Sequence, residues 1–286
     1  MGVSRGVSKK AIFGYGNPAT AVTNLVSNIG IVSADTTGVG TARDSLAAAG
    51  YGTDKAIFGY GTTGSNVSMT NLVSNSGVVA TDTTGVGTAR RYLAASGYGT
   101  DKAIFGYGYD TAPASMTNLV SNSGVVATDT TGVGTARYAL AASGYGTDKA
   151  IFGYGTTGST VSMTNLVSNS GVVATDTTGV GTARRYLAAA GYGTDKAIFG
   201  YGNPATAVTN LVSNIGIVSA DTTGVGTARY GLAAAGYGTD KAIFGYGYGT
   251  ASTAVTNLVN NSGVVASDVA GVGTARNYLA ASSYGS

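Results

Sequence analysis

The sequence predicts an all-β fold: a six-bladed β-propeller with four antiparallel strands per blade, closed by pairing of its N- and C-terminal strands. Three observations predict it. The phrase AIFGYG starts at Ala11, Ala56, Ala103, Ala150, Ala197 and Ala242, at spacings of 45, 47, 47, 47 and 45 residues, a period that belongs to propellers and solenoids. Of 286 residues 47 are Gly, none is Glu or Gln, and 10% are charged; surface helices draw on Glu, Lys and Gln, so the composition favours turn-rich β structure. The chain ends also interlock. The C-terminus finishes on RNYLAASSYGS, a first strand with no second after it, and the N-terminus opens on SKKAIFGYG, a second strand with no first before it. Joined, they complete one blade and remove the edge that an open sheet would expose.

The repeats fill residues 1–286 as a single domain, in units 11–55, 56–102, 103–149, 150–196, 197–241 and 242–286. Units 11–55 and 197–241 differ only at Asp44/Tyr230 and Ser45/Gly231. Such sameness is partly history, so the differences carry more information. Within residues 90–129 four β-like segments alternate with turn signals: RRYLAASGYG, DKAIFGYG with its apolar Ala103, Ile104 and Phe105, SMTNLVSN with Met116, Leu119 and Val120, and the β-branched GVVATDT. Each has the length of an ordinary strand, and the joins carry the Gly, Asn, Asp or Ser that hairpins need. The best helical competitor, TARRYLAAS, is short and runs into GYG, so a strand is expected there. A β-solenoid would repeat at a shorter period; two β-trefoils of three units remain open, although nothing separates residues 1–149 from 150–286.

The order TAR, YLAASGYG, DKAIFGYG, a variable loop, SMTNLVSN and a final strand resembles the kelch repeat. Arg43, Arg90, Arg137, Arg184, Arg229 and Arg276 stand where that family places an Arg before its first strand, and its glycine doublet is split, as in Gly106-Tyr107-Gly108. The kelch third-strand Tyr and fourth-strand Trp are replaced by residues such as Val120 and Val126. The resemblance implies the fold and leaves the function open, because kelch-like propellers serve as enzymes and as binding modules. The phrases DKAIFGYG and TNLVSNSGVVATDTTGVGTAR are also similar to repeats in proteins of environmental bacteria and their phages.

Composition excludes several chemistries. With no Cys and no His, disulfides, thiolate or imidazole metal sites and a Ser-His-Asp triad are ruled out. A dispersed net charge of +3 does not point to nucleic acid. MGVSRGVSKK has no apolar h-region, and Gly6 stands where a myristoylation signal wants Ser or Thr; no run approaches a membrane span, so the chain reads as a complete soluble product. GVGTAR echoes a phosphate loop, but it links two strands where a dinucleotide site needs a strand and a helix. Asp and Arg recur eight residues apart, as in Asp82/Arg90, and are expected to form a salt bridge or backbone clamp within or between blades rather than an anion-binding ring. Asp in GTDK is turn chemistry. Twelve of the 19 Tyr lie in repeated GYG or SYG turns and are expected to pack between neighbouring blades.

The units disagree at two places. After FGYG the inserts read NPATAV, TTGSNVSM, YDTAPASM, TTGSTVSM, NPATAV and YGTASTAV; after TAR the pairs read DS, RY, YA, RY, YG and NY. Both places lie on one face of an antiparallel blade, and variable loops rich in Tyr, Ser, Thr, Asn and Gly on a rigid scaffold mark a binding face. The candidate binding residues are Asp44, Arg91, Tyr92, Tyr109, Asp110, Tyr138, Arg185, Tyr186, Tyr230, Tyr248, Asn277 and Tyr278. No catalytic residue, metal ligand or cofactor is expected, since a sixfold-repeated acid rarely builds one asymmetric site. The expected role is a non-catalytic structural or interaction protein, a phage virion or tail component or a bacterial surface adhesin. A carbohydrate-binding lectin is the alternative, and a glycan-active enzyme ranks last. Expected partners are a protein in a virion or surface assembly, a glycan, or further copies of the chain; nucleic acid and membrane insertion are not expected. A virion or extracellular location is favoured.

Overall fold

Each unit turns its first three β-like phrases into strands. The structure, a computed structural model, describes residues 8–285; the leader and acylation readings rest on residues 1–7 and lie outside it. The first sheet holds β3 (Ala47–Tyr51), β4 (Lys55–Gly59) and β5 (Thr70–Val73), and the second holds β6 (Ala94–Tyr98), β7 (Lys102–Tyr109) and β8 (Pro113–Val120). The third has β9 (Ala141–Tyr145), β10 (Lys149–Gly153) and β11 (Thr164–Val167), and the fourth β12 (Ala188–Tyr192), β13 (Lys196–Gly202) and β14 (Thr206–Val212). The fifth has β15 (Ala233–Tyr237), β16 (Lys241–Gly245) and β17 (Thr256–Val259). The sixth sheet joins the chain ends: β18 (Ala280–Tyr284) pairs with β1 (Lys10–Gly14), which pairs with β2 (Thr23–Val26). Lys10 faces Tyr284 and Gly14 faces Ala280, the register that sets Lys102 against Tyr98 and Gly106 against Ala94. All described elements are β, in a propeller-like repeat.

The inner strands contact one another in the order β3, β6, β9, β12, β15, β18 and back to β3. Their burial alternates: Ala94, Ser96 and Tyr98 pack between sheets, while Ala95 and Gly97 line a central channel. The middle strands are covered on both sides, so Ala103, Ile104 and Phe105 are all fully buried, which suits their unbroken apolar run.

FGYG is the connector between sheets. A Cβ on Gly106 would stand 2.7 Å from the Phe152 ring of the next sheet, so only glycine admits that ring. Tyr107 then leaves the ladder at φ 62°, a conformation bulky residues seldom adopt, and its ring meets Phe152 edge-on at 5.1 Å. The same pair recurs at every boundary, including Tyr246 with Phe13 and Tyr15 with Phe58. The repeated tyrosines are thus packing residues, as expected.

The six repeated arginines are fully buried. Arg137 donates from Nε to the Tyr154 carbonyl at 2.9 Å, from Nη1 to the Thr135 carbonyl at 3.2 Å and from Nη2 to Asn165 Oδ1 at 2.6 Å. Its guanidinium lies 4.3 Å from the centre of the Tyr107 ring in the preceding sheet. The expected salt bridge is present. The ion partner of Arg137 is Asp176, at 3.7 Å, and not Asp129, eight residues before it; Asp129 pairs with Arg90. The eight-residue stretch is a loop crossing from one sheet to the next, so residues close in sequence end in different networks.

Four strands per unit needs correction. GVVATDT makes only isolated bridges, Val120 with Val126 and Thr117 with Thr130. Between them the Asn118 side chain intervenes, its amide donating to the Ala127 carbonyl at 3.0 Å and to Asp129 Oδ1 at 2.9 Å. A side chain that takes a ladder carbonyl competes with regular pairing, and the outer segment stays irregular, with Val125 66% exposed and Val126 9%.

Candidate functional site

The TAR arginines deliver the chain to one mouth of the channel. The second residue after each Arg reads Ser45, Tyr92, Ala139, Tyr186, Gly231 and Tyr278, small and large in strict alternation. All six have positive φ, from 49° at Tyr278 to 61° at Gly231. Their backbones form a hydrogen-bonded circuit: Tyr92 N–H donates to Ser45, Ala139 to Tyr92, Tyr186 to Ala139, Gly231 to Tyr186, Tyr278 to Gly231 and Ser45 to Tyr278, at 2.6 to 2.8 Å. A second circuit surrounds the other mouth, where Gly52, Gly99, Gly146, Gly193, Gly238 and Gly285 donate to carbonyls of the adjacent sheets, Gly285 reaching Asp54.

Tyr92, Tyr186 and Tyr278 meet over the axis as a triangle with centroids 5.2, 5.2 and 5.7 Å apart. The other variable tyrosines extend it. Tyr138 lies 6.2 Å from Tyr92 and 5.1 Å from Tyr109; Tyr230 lies 6.3 Å from Tyr186 and 5.5 Å from Tyr248. All seven tyrosines that break the repeat therefore form one continuous half-buried cluster. Beneath it, buried leucines such as Leu93 and Leu187 surround a cavity of about 90 Å³.

Backbone bridges pair each residue after the TAR arginine with the first residue of the variable insert, Arg91 with Tyr109 and Tyr230 with Tyr248. This is how the two variable places come to share a face. Arg91 sits 5.5 Å from the Tyr92 ring centre and 5.7 Å from that of Tyr109; Arg185 sits 5.3 Å from that of Tyr186. The Nε–H of both arginines is buried with no hydrogen-bond partner, as is Asn277 Oδ1. Burial raises the Asp44 carboxyl above its ordinary range, against the Ser45 hydroxyl, which donates to it at 2.6 Å, and the Arg91 charge. Burial likewise pushes the Tyr186 phenol up to about 12, with Tyr92 adding to the shift; Tyr278 moves the same way for the same reason. Asn277 hydrogen-bonds Ser252 Oγ at 3.2 Å.

Eleven of the twelve candidate residues belong to this mouth or border it. Asp110 does not join: its carboxylate makes no hydrogen bond in the cluster and the residue sits at the outer turn, its N–H donating to the Ala112 carbonyl at 3.1 Å. Sequence reasoning missed Ser45, Ala139 and Gly231, the spacers of the triangle, although their alternation with tyrosine is readable. It also missed Asn118 and its five counterparts, which hold the buried arginines. The mouth offers phenol faces, two guanidinium groups and one carboxylate, a set suited to recognition by stacking and hydrogen bonding. No protein-family model and no curated protein matches the chain.

Proposed function

We propose that the chain is a closed six-bladed, kelch-like β-propeller that works as a non-catalytic interaction scaffold and binds its partner at the tyrosine mouth. The convergence of all seven repeat-breaking tyrosines on one mouth carries this reading. The paired chain ends and the two hydrogen-bonded circuits support the closed architecture. Rigid aromatic groups with few torsions make contact area at low entropic cost. The setting we propose is a virion or tail assembly, or a bacterial surface where the protein acts as an adhesin.

A lectin is the second reading, favoured by the Arg-flanked tyrosine faces, on which a sugar ring stacks. One experiment separates the two. Binding to a glycan array and to intact bacterial cells is compared for the wild-type protein and a Tyr109→Ala/Tyr138→Ala variant. Cell binding without glycan hits, lost in the variant, fits the adhesin; glycan hits lost in the variant fit the lectin. Equal binding by both proteins would remove the tyrosine mouth from either account.

A further inference from the structure

Two arginines at the tyrosine mouth are twins placed in different surroundings. Arg91 and Arg185 belong to units 56–102 and 150–196, whose sequences part only at Asn66/Thr160 and Ser96/Ala190. Each follows a buried TAR arginine and holds its guanidinium beside the next ring, Arg91 at 5.5 Å from the Tyr92 centre and Arg185 at 5.3 Å from that of Tyr186. Among the described residues neither forms a close ion pair; the arginines that do are all TAR arginines.

What differs is what the neighbouring units supply. Around the mouth, the residue after each TAR arginine reads Asp44, Arg91, Tyr138, Arg185, Tyr230 and Asn277. Arg91 therefore has Asp44 on one side, near enough that its charge acts on the Asp44 carboxyl and opposes the rise that burial causes. Arg185 has tyrosines on both sides. The inserts part in the same way. Arg91 bridges to Tyr109, which runs into Asp110, whereas Arg185 bridges to Asn203, which runs into Pro204. Asp44 stands three units from Arg185 in either direction around the hydrogen-bonded circuit. This chain places a carboxylate beside one twin and none beside the other.

We infer that Arg185 receives the carboxylate of an acidic sugar of the uronic acid class, whose ring lies against the flanking tyrosines. The inference rests on the tyrosine mouth as a binding face in its lectin form, and it adds which sugars are taken. A guanidinium fork matches a planar carboxylate with two parallel hydrogen bonds, and partial burial strengthens the attraction over its value in water. One guanidinium balances a monoanion, and the mouth adds no second uncompensated cation that a phosphate dianion would need. The tyrosines on either side are already held in pairs, Tyr138 with Tyr109 at 5.1 Å and Tyr230 with Tyr248 at 5.5 Å, and such rings offer apolar area to the C–H face of a sugar. Across the mouth, Asp44 disfavours a second acid, which directs the acidic end to Arg185.

Calorimetric titration with trigalacturonate and with its methyl ester tests this, because the ester keeps the sugar rings and removes the charge. The acid is expected to bind at one site per chain and about tenfold or more tighter than the ester. Arg185→Gln is expected to bring acid and ester within about twofold of each other, while Arg185→Lys, which keeps the charge without the fork, retains part of the preference. Lys102→Gln lowers the net charge by the same amount at the opposite mouth and leaves the preference within about twofold of wild type. Equal loss in Arg185→Gln and Lys102→Gln would mean a response to net charge alone, and equal loss in Arg185→Gln and Arg91→Gln would erase the difference between the twins; either overturns the assignment. Acid and ester bound alike by the wild-type protein would overturn carboxylate recognition and leave the lectin reading standing. Binding of neither overturns the inference, and the glycan array then decides the lectin reading by itself.

Discussion

The tyrosine mouth and the opposite, lysine mouth, which Lys55, Lys102, Lys149, Lys196 and Lys241 border, are built around the same six inner strands, yet they treat the repeat differently. Around the lysine mouth every unit starts its middle strand on a Lys, Lys10 included, and the single departure is Lys9 in the Asp position before it. Around the tyrosine mouth large and small residues alternate, so sixfold backbone geometry carries threefold side chains. The difference is steric. Lys102 and its counterparts are half-exposed and need no room on the axis, whereas Tyr92, Tyr186 and Tyr278 point over it and touch. Divergence among the units thus has two origins. The inner triangle varies because six tyrosines do not fit around one axis. Tyr109, Tyr138, Tyr230 and Tyr248 answer to no such limit, and they carry the weight of the binding proposal.

The largest expected effect concerns the whole fold and sets the aromatic interior against the charged mouth. Burial pushes the phenols of Tyr60, Tyr154 and Tyr186 up to about 12, while an unfolded chain ionises tyrosine near pH 10. A raised folded-state value means that the neutral form is preferred in the native protein. This contribution to stability is complete below pH 10 and is lost as pH rises through about 12. Circular dichroism and phenolate absorbance, followed together in an alkaline titration, are expected to change in one cooperative step. Stepwise ionisation near pH 10 with the β signal intact would contradict this.

Next in size is the contrast between two arginines. Arg137→Ala strips the donors from Asn165 and Tyr154 in a fully buried network and is expected to cost about 3–5 kcal/mol. Arg185→Ala, at the half-buried mouth, is expected to cost about 1 kcal/mol or less. Guanidinium unfolding midpoints measure both, and equal shifts would erase the distinction between scaffold and mouth. Ala139→Tyr adds a fourth ring to the triangle and is expected to destabilise by about 1–3 kcal/mol through overpacking. An unchanged melting temperature would refute the steric origin of the alternation. The smallest effect belongs to Lys102→Gln, which breaks only a half-exposed pair with Asp101 at 3.4 Å; a stability change within about 1 kcal/mol is expected from the same melts.

Much of this was legible in the sequence. Three strands per unit and the shared sheet of the two chain ends follow from apolar phrases and turn residues, and the seven scattered tyrosines were singled out by refusing to repeat. The fourth strand failed because Asn118, read as part of a strand pattern, spends its amide on the carbonyls that a ladder needs. The Asp–Arg salt bridge was readable, but which copies pair was not, because nearness in sequence hid a crossing between sheets.

Pairing β18 with β1 has a consequence for how the chain reaches its native state. Nearly identical units invite strands to dock in the wrong place, a hazard for repeat proteins during synthesis. Five of the six AIFG strands are claimed at once by a local hairpin partner, the first paired residues only four apart in sequence, as Tyr51 and Lys55 or Tyr98 and Lys102. Only β1 must wait for a partner made some 270 residues later, at the entropic penalty of closing a very long loop. When Ala280–Tyr284 finally emerges, one vacancy is left for it. The long-range pair orders the assembly, because Ala280–Tyr284 is the strand that completes the sixth sheet.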